Sequence, residues 1–476
     1  MTKKKYIHFV IMIALTLIIA VMPPIGGITP LGMRTIGVFV GVLYGWIAFD
    51  LIIPSVYGYA ALAVMGVLPT AQAMTVGFGN NTLVVVMVAL VFAGAISSVG
   101  VTEVVTNWLL CRKVLRKSPW LLVVGMLVIS YICGMLAIHM ATIFLMWSVI
   151  LKIAEKNNIP RGDKLITFMI MMIAATGFSG VFAVPFRASA MMFESYFIEA
   201  MNTTFPVIPF IVISVLTTGT VTLLMALLGK VVFRLDASKF VLAEDIVADL
   251  QSVKITKEAK AGFVVLIVYT IALVLPAMWP TMPGAAILNS LGVGGVSCIG
   301  LIAMAVISYN GKSLIDIGKS WTRFMDWQLV LLLSVTFPIA EAMRAEGTGI
   351  MPTIMQAVVP VVSGMGVLKF MIVATILLGL LTQVTHNIVL AAMFTQFLCP
   401  LCAEIGGNPY VMWFLMYFTL NASYMTPAAS MQSALVHGHE GINKKYAYIF
   451  GITISIVTWA ILFGVTIPVG NMLIPV

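Results

Sequence analysis

The sequence predicts an all-α polytopic membrane protein with about 11 transmembrane helices, built as two inverted-topology repeats that each hold a re-entrant hairpin and a broken helix. Composition carries the first part of that prediction. Hydrophobic residues make up 61% of the 476 positions, charged residues 9%, and the mean hydropathy is +1.10, which excludes a soluble globular domain. Run length carries the second part: a helix needs about 20 apolar residues to span a bilayer, and many such runs follow one another, whereas a β-barrel would show short alternating segments. Repetition carries the third. The stretch "TLVVVMVALVFAGAISSVGVTEVVTNWLLCRKVLRK" from Thr82 continues into "ISYICGMLAIHMATIFLMW". Its order of apolar run, amphipathic stretch and polar-interrupted run returns in "WQLVLLLSVTFPIAEAMRAEGTGIMPTIMQAVVP" from Trp327, which continues into "LGLLTQVTHNIVLAAMF".

Residues 1–29 hold the first helix. "MTKKKYIHFVIMIALTLIIAVMPP" starts like a secretory signal, but its apolar stretch is long for one and no small-x-small cleavage site precedes Pro23, so Tyr6–Met22 is read as a retained span. Repeat 1, residues 30–229, is expected to place spans at Thr35–Phe49, Leu51–Leu68 and Thr82–Gly100, then a hairpin running from Pro119–Ile132 back to Leu151. A helix over Leu165–Ala200, broken near Pro185, and a span at Val207–Val232 complete it. Residues 230–260 mix both charge signs, are too polar to span, and read as a cytoplasmic linker. Repeat 2, residues 261–476, is expected to hold Phe263–Trp279, Ala286–Ser308 and Trp327–Met343. A hairpin from Val362–Leu381 to Ala403, a helix at Tyr410–Leu435 broken near Pro427, and Ile449–Ile467 follow.

Charge orients these spans. With the amino terminus in the cytoplasm, 22 of the 26 lysines and arginines fall on the inner side, and only Arg34, Arg344 and Lys369 fall outside, with Arg187 inside the membrane. That is the positive-inside pattern, and it accounts for the net charge of +9 without nucleic acid. The span from Thr82 then runs inward and its mate from Trp327 outward, so the copies are inverted. One hairpin enters from each side. Interrupted segments at matching places in inverted repeats mark the ligand site of a secondary transporter. The expected location is the cytoplasmic membrane, in contact with lipid.

Other features are read as structural. Five cysteines make no disulfide framework, and the 33 methionines suit adaptable packing. "CPLC" (Cys399–Cys402) ends a hydrophobic hairpin and "HGHEG" (His437–Gly441) lies at an inner helix end beside Lys444 and Lys445; neither is read as a redox or metal motif. No HExxH, GxSxG or phosphate-loop motif is present, so no enzyme activity is expected.

From about Leu31 onward the chain resembles the divalent anion–sodium symporter family of the ion transporter superfamily. "GFGNNT" at Gly77–Thr82 followed by a helix ending "SVGVTEVVTNWLL" is similar to that family's fourth helix. "LLTQVTHNIVLAAMF" is similar to its Thr-Glu-x-x-Ser-Asn-Thr hairpin tip, and "ASYMTPAASMQSALVHG" to its Pro-containing broken helix. The resemblance implies homodimers that carry di- or tricarboxylates, or sulfate, with sodium. It implies substrate contacts at His139, Met140, Arg187, Ser189, Thr385, His386, Asn387 and Ser433, and a cation site at Thr382, Asn387 and Ala429. No cofactor is implied beyond a coupling sodium ion or proton.

The departures from the family pattern are informative. Where relatives have Ser-Asn-Thr at both tips, this chain has Ile138-His139-Met140 and His386-Asn387-Ile388, and Ser433 replaces an asparagine of the broken helix. An arginine at membrane depth costs at least ~2.5–3.5 kcal/mol and normally faces a cavity or a partner. Two readings of Arg187 stand: it supplies charge to an anion site, or it pairs with Glu194 or Glu199 and braces its helix. Histidines at both tips titrate near neutrality and suit proton coupling, and broken helices present free N–H groups to anions. The expected function is therefore alternating-access transport of a small organic anion. The rivals are proton-coupled transport or anion exchange on the same fold, and, in another class, a channel or a non-transporting receptor.

Overall fold

The computed structural model describes residues 3–136, 139–252, 255–309, 311–385, 387–427 and 429–476. The chain opens with α1 (Lys3–Val21) and α2 (Pro30–Ala48). Thr29 starts α2, its hydroxyl accepting from the Gly32 N–H at 3.1 Å ahead of a proline in the first turn, a sound N-cap. Gly37 and Gly41 of α2 lie directly on α1: a Cβ at Gly41 would sit 1.9 Å from the Thr16 hydroxyl, and one at Gly37 2.6 Å from the Thr16 carbonyl. Small residues four apart let two membrane helices touch backbone to backbone. Only Met12 and Thr16 of α1 are buried, so its remaining faces suit lipid.

The chain continues through α3 (Ile52–Val64), α4 (Thr70–Phe78), α5 (Asn81–Ser98) and α6 (Val101–Leu110). α3 is shorter than the expected Leu51–Leu68 because Gly66, at φ +67°, turns the chain and Pro69 follows. A first hairpin pairs α7 (Pro119–Met135) with α8 (His139–Lys156). A broken helix follows, α9 (Lys164–Val181) and α10 (Ala188–Met201), and then α11 (Val207–Val231). The linker carries α12 (Glu244–Ser252). Next are α13 (Lys257–Met278), α14 (Ala285–Val306), a two-residue strand pair (β1, Ser308–Tyr309; β2, Lys312–Ser313) and α15 (Ile317–Phe324), which bends 71° into α16 (Trp327–Arg344). After α17 (Ile350–Ser363), a second hairpin pairs α18 (Val367–Leu381) with α19 (Asn387–Glu404). A second broken helix, α20 (Pro409–Asn421) and α21 (Met431–His437), leads to α22 (Lys444–Ile461) and, through a π-turn, α23 (Ile467–Leu473).

The sequence of α5, α6, hairpin, broken helix and long helix in the first half is repeated by α16, α17, hairpin, broken helix and long helix in the second. Even the joints match: Gly100 before α6 and Gly349 before α17 both adopt the left-handed conformation (φ +83° and +67°), which glycine adopts without strain. Contacts between loops fix the direction of each copy. On one side Arg161 pairs with Glu440 at 3.5 Å, Lys156 with Asp245 at 2.5 Å, and Lys164 donates to the Phe233 carbonyl at 2.6 Å. On the other, Thr29 donates to the Gly347 carbonyl at 2.7 Å and Thr203 meets the Tyr410 hydroxyl at 2.9 Å. α5 ends beside Ala259 on the first side, while α16 ends beside Glu199 on the second, so the two copies run in opposite directions. In the second hairpin both ends lie together, Val367 against Gly407, which makes it re-entrant.

Nine described helices are long and apolar enough to cross a membrane. α19 among them is a hairpin arm; α3, α16 and α20–α21 supply the remaining crossings of the expected set. One core unites most helices, and a second, smaller one joins α2, α3, α4 and one face of α16 through Val38, Leu62, Ala73 and Val335. α9 is enclosed on all sides, with sixteen of its eighteen residues buried.

The closest backbone approach in the first repeat joins α7 to α9. A Cβ at Gly134 would lie 2.2 Å from the Gly177 carbonyl oxygen, and one at Gly180 2.1 Å from that of Tyr131. Backbone on both sides leaves nothing to rotate away. Gly180→Ala is expected to lower the melting temperature in detergent by an amount equivalent to about 1–3 kcal/mol. Gly219→Ala, with open space around its Cβ, serves as the control, and equal melting of both variants would refute the contact.

Candidate functional site

The first half of the site is the tip of the α7–α8 hairpin and the 182–187 break between α9 and α10. His139 opens α8, packs edge-on against Phe178 with ring centroids 4.9 Å apart, and its Nδ1 is sealed from solvent with no hydrogen-bond partner among the described residues. Met140 behind it packs into the main core. Pro185 lies in the break, where it interrupts helical hydrogen bonding. Arg187 ends the break in an extended conformation (φ −87°, ψ 136°), its carbonyl accepting the Met191 N–H at 2.9 Å to start α10. Its Nε is buried and unpartnered among the described residues, and the guanidinium lies within electrostatic range of His139 and of Tyr269 on α13. Ser189 is half-buried in the first turn of α10, where N–H groups are free.

The helix-bracing reading of Arg187 does not hold. Glu199 is committed to Arg344 at the end of α16, which donates to both its carboxylate and its backbone carbonyl and also to the Gln396 Oε1 at 3.2 Å. Glu194 makes no ion pair with Arg187 among the described residues, and its own Oε1 is buried without a partner. Among the described residues Arg187 is therefore a cation without a carboxylate counterion.

The second half is built differently. Thr382 is buried and donates to the Leu420 carbonyl at 3.5 Å, and the Asn387 amide donates to the Asn421 Oδ1 at 3.2 Å. Gln383 accepts from the Met425 N–H at 3.0 Å, its carbonyl accepts from the Thr426 hydroxyl at 2.5 Å, and its amide donates to the Gly379 carbonyl at 2.9 Å. Gln383 thus stitches the hairpin tip to the 422–430 break, while Thr382 and Asn387 tie it to the end of α20. Ser433 is fully buried and donates to the Thr426 carbonyl at 2.6 Å, so its hydroxyl shapes the break loop. Ala429 is buried and closes a turn onto the Thr426 carbonyl at 3.2 Å; it makes no hydrogen bond to Thr382 or Asn387 among the described residues. Thr385 is half-buried at the tip, and His386 lies outside the described residues.

The two halves meet. Tyr417 on α20 donates to the Phe182 carbonyl at 3.2 Å, and a narrow cavity of about 30 Å³ between α9, α11, α20 and α22 is lined by Thr176, Ser179, Thr218 and Asn421 among others. A larger cavity, about 470 Å³, lies between α6, α12 and the start of α13, away from both tips. Among the described residues the half-sites differ in charge: a guanidinium and an imidazole on one, neutral amides, hydroxyls and carbonyls on the other, where His386 lies outside the described residues. The first suits an anion and the second a hard cation.

Sequence reasoning overlooked Gln383 and Asn421, and gave Glu194 only as a possible partner of Arg187. Gln383 occupies the place of the glutamate in the hairpin-tip motif, which was a usable signal. Asn421 immediately precedes the quoted broken-helix motif and carried none. Of the "HGHEG" residues, His437 bonds the Tyr424 carbonyl at 3.1 Å and His439 packs on Trp147.

No curated protein matches the chain. Among solved structures, the YdaH transporter of Alcanivorax borkumensis, described as having an unusual topology, is similar over 98% of both chains with a TM-score of 0.59 and 14% identity, a likeness of fold. The sequence profile of the citrate transporter family matches residues 39–419. With the motifs at the second hairpin and the second break, that match makes the chain a divergent member of the ion transporter superfamily, and a multi-pass membrane transporter belonging to the citrate transporter family.

Proposed function

We propose that this transporter carries a small di- or tricarboxylate such as citrate across the cytoplasmic membrane by alternating access, as a homodimer with its amino terminus in the cytoplasm. Arg187 carries this reading. A guanidinium at membrane depth costs at least ~2.5–3.5 kcal/mol, no carboxylate among the described residues pairs with it, and a substrate carboxylate supplies the missing fork partner. The adjacent N–H groups of α10 add to the same anion site. The small cavity between α9, α11, α20 and α22 is lined by neither Arg187 nor His139; in this reading the substrate is admitted when the hairpin tips part from the breaks. Separation of that kind, alternately from each side, is alternating access.

Coupling follows from the asymmetry. His139 and Arg187 take the place where relatives hold one cation, so at most one sodium site remains, around Asn387, Thr382 and the carbonyls near Ala429. Proton coupling is the second reading, favoured by the unpartnered Nδ1 of His139. A thermal-shift screen against anions, with and without sodium, tests both: citrate raises the apparent stability of the folded protein, and uptake into proteoliposomes depends on sodium with a Hill coefficient near one or not at all. Steep multi-ion sodium dependence would overturn the single-site reading. Conductance without counterflow would mark a channel, and binding without uptake a receptor.

Orientation has its own test. A cysteine at Ser252, exposed in α12, resists an impermeant thiol reagent in intact cells and reacts after permeabilisation. Labelling from outside would reverse the topology.

A further inference from the structure

Building on the transport reading, we infer that Glu194 is the proton-carrying residue of the transport cycle, and that proton and anion bind cooperatively because both act on the charge of Arg187. The carboxyl lies within the membrane-spanning part of α10 with its Oε1 buried and without a hydrogen-bond partner among the described residues. Desolvation without a partner favours the neutral acid, and intramembrane carboxyls in that condition serve as proton relays.

The neighbours of Glu194 do not supply a competing explanation. α10 packs against α5, which carries no titratable side chain, and α19, which brings only Cys399, Cys402 and its terminal Glu404. From α20, Tyr417 lies within electrostatic range, but its hydroxyl is already donated to the Phe182 carbonyl. Tyr196 on α10 itself is buried and its hydroxyl is unpartnered, and two residues along a helix it points away from Glu194. The Glu199–Arg344 pair is satisfied internally. His139 faces Arg187 from the hairpin tip.

That leaves Arg187 at the N-cap of α10, seven residues before Glu194 and about 10 Å away along the axis. An ionised Glu194 and a bound carboxylate would repel each other across a poorly screened interior while drawing on one guanidinium. Protonating Glu194 (a hydronium transfers its proton to the carboxylate and leaves water) removes that repulsion. By linkage each ligand then raises the affinity for the other. Release of the anion on the opposite side lets Glu194 return its proton to water there, which makes the cycle a symport.

Citrate binding to the purified protein, followed in two buffers of different ionisation enthalpy, is expected to take up about one proton near neutral pH. Glu194→Gln, which imitates the neutral acid, takes up about one proton fewer than the wild type on binding citrate at the same pH. Its accumulation of citrate driven by an imposed pH gradient falls to the level of protein-free liposomes, and Glu194→Asp restores part of it. Gradient-driven accumulation by a well-folded Glu194→Gln protein at the wild-type rate overturns the assignment. If neither protein binds or moves citrate, the transport reading fails. The infrared carbonyl band of a protonated carboxylic acid then decides Glu194 by itself: loss of that band in Glu194→Gln sustains the buried acid, and identical spectra refute it.

Discussion

Arg187→Ala weakens citrate binding by roughly 10- to 150-fold, the equivalent of losing a charge-assisted contact of about 1.5–3 kcal/mol in a dry site. The same substitution leaves the melting temperature of the ligand-free protein unchanged or raises it. The sign is unusual for a half-buried charge and follows directly from the site: Arg187 has no counterion among the described residues, so removing it relieves a desolvated charge and breaks no ion pair. Arg187→Lys keeps the charge but loses the planar fork and falls between the two. Citrate-induced thermal shift and direct titration on all three proteins check the prediction. Unaltered affinity in folded Arg187→Ala, or a large loss of ligand-free stability, would return Arg187 to a structural role.

Arg344→Ala has the opposite signature, a large loss of stability. Arg344 joins the end of α16 to α10 and α19 through Glu199 and Gln396, and thereby ties the smaller core beside α2–α4 to the hairpin and broken helix. Removing one partner of a buried pair costs about 3–5 kcal/mol. Here the side chains are 26% and 25% exposed, so solvent screening reduces the expected loss to roughly 1–3 kcal/mol. Arg344→Ala combined with Glu199→Ala recovers part of it, because the stranded carboxylate is gone. Melting of both single variants and the double variant yields the coupling energy; a coupling of zero would show that the pair contributes nothing.

Much of this architecture was legible in the sequence because its causes are local. Apolar run length defined α1, α2, α5, α11 and α13, and Pro185 and Pro427 marked both breaks, since proline disrupts helical hydrogen bonding wherever it stands. The charge bias anticipated which loops lie together, as the Arg161–Glu440 and Thr29–Gly347 contacts bear out. What remained hidden depends on partners distant in sequence. The Glu199–Arg344 contact joins residues 145 apart, and nothing local to either announces it. The competing readings of Arg187 could be separated only once Glu199 was seen to be taken. Gln383 stands inside a quoted motif, but its bonds to Met425 and Thr426, 42 and 43 residues away, exist only in the folded chain.

The enclosure of α9 bears on how the protein is made. In the finished molecule sixteen of its eighteen residues touch only protein, so lipid places no demand on their chemistry there. During synthesis, however, α9 leaves the translocation machinery before α20 and α22 exist to cover it. It must partition into the bilayer on its own apolarity. The run of Ile, Met and Phe from Leu165 to Ile173 thus answers to two solvents in succession, hydrocarbon first and neighbouring helices afterwards. A polar substitution tolerated by the packed interior would still be rejected at the earlier step, and its defect would show as failed membrane integration of the nascent chain with no change in the properties of whatever protein matures.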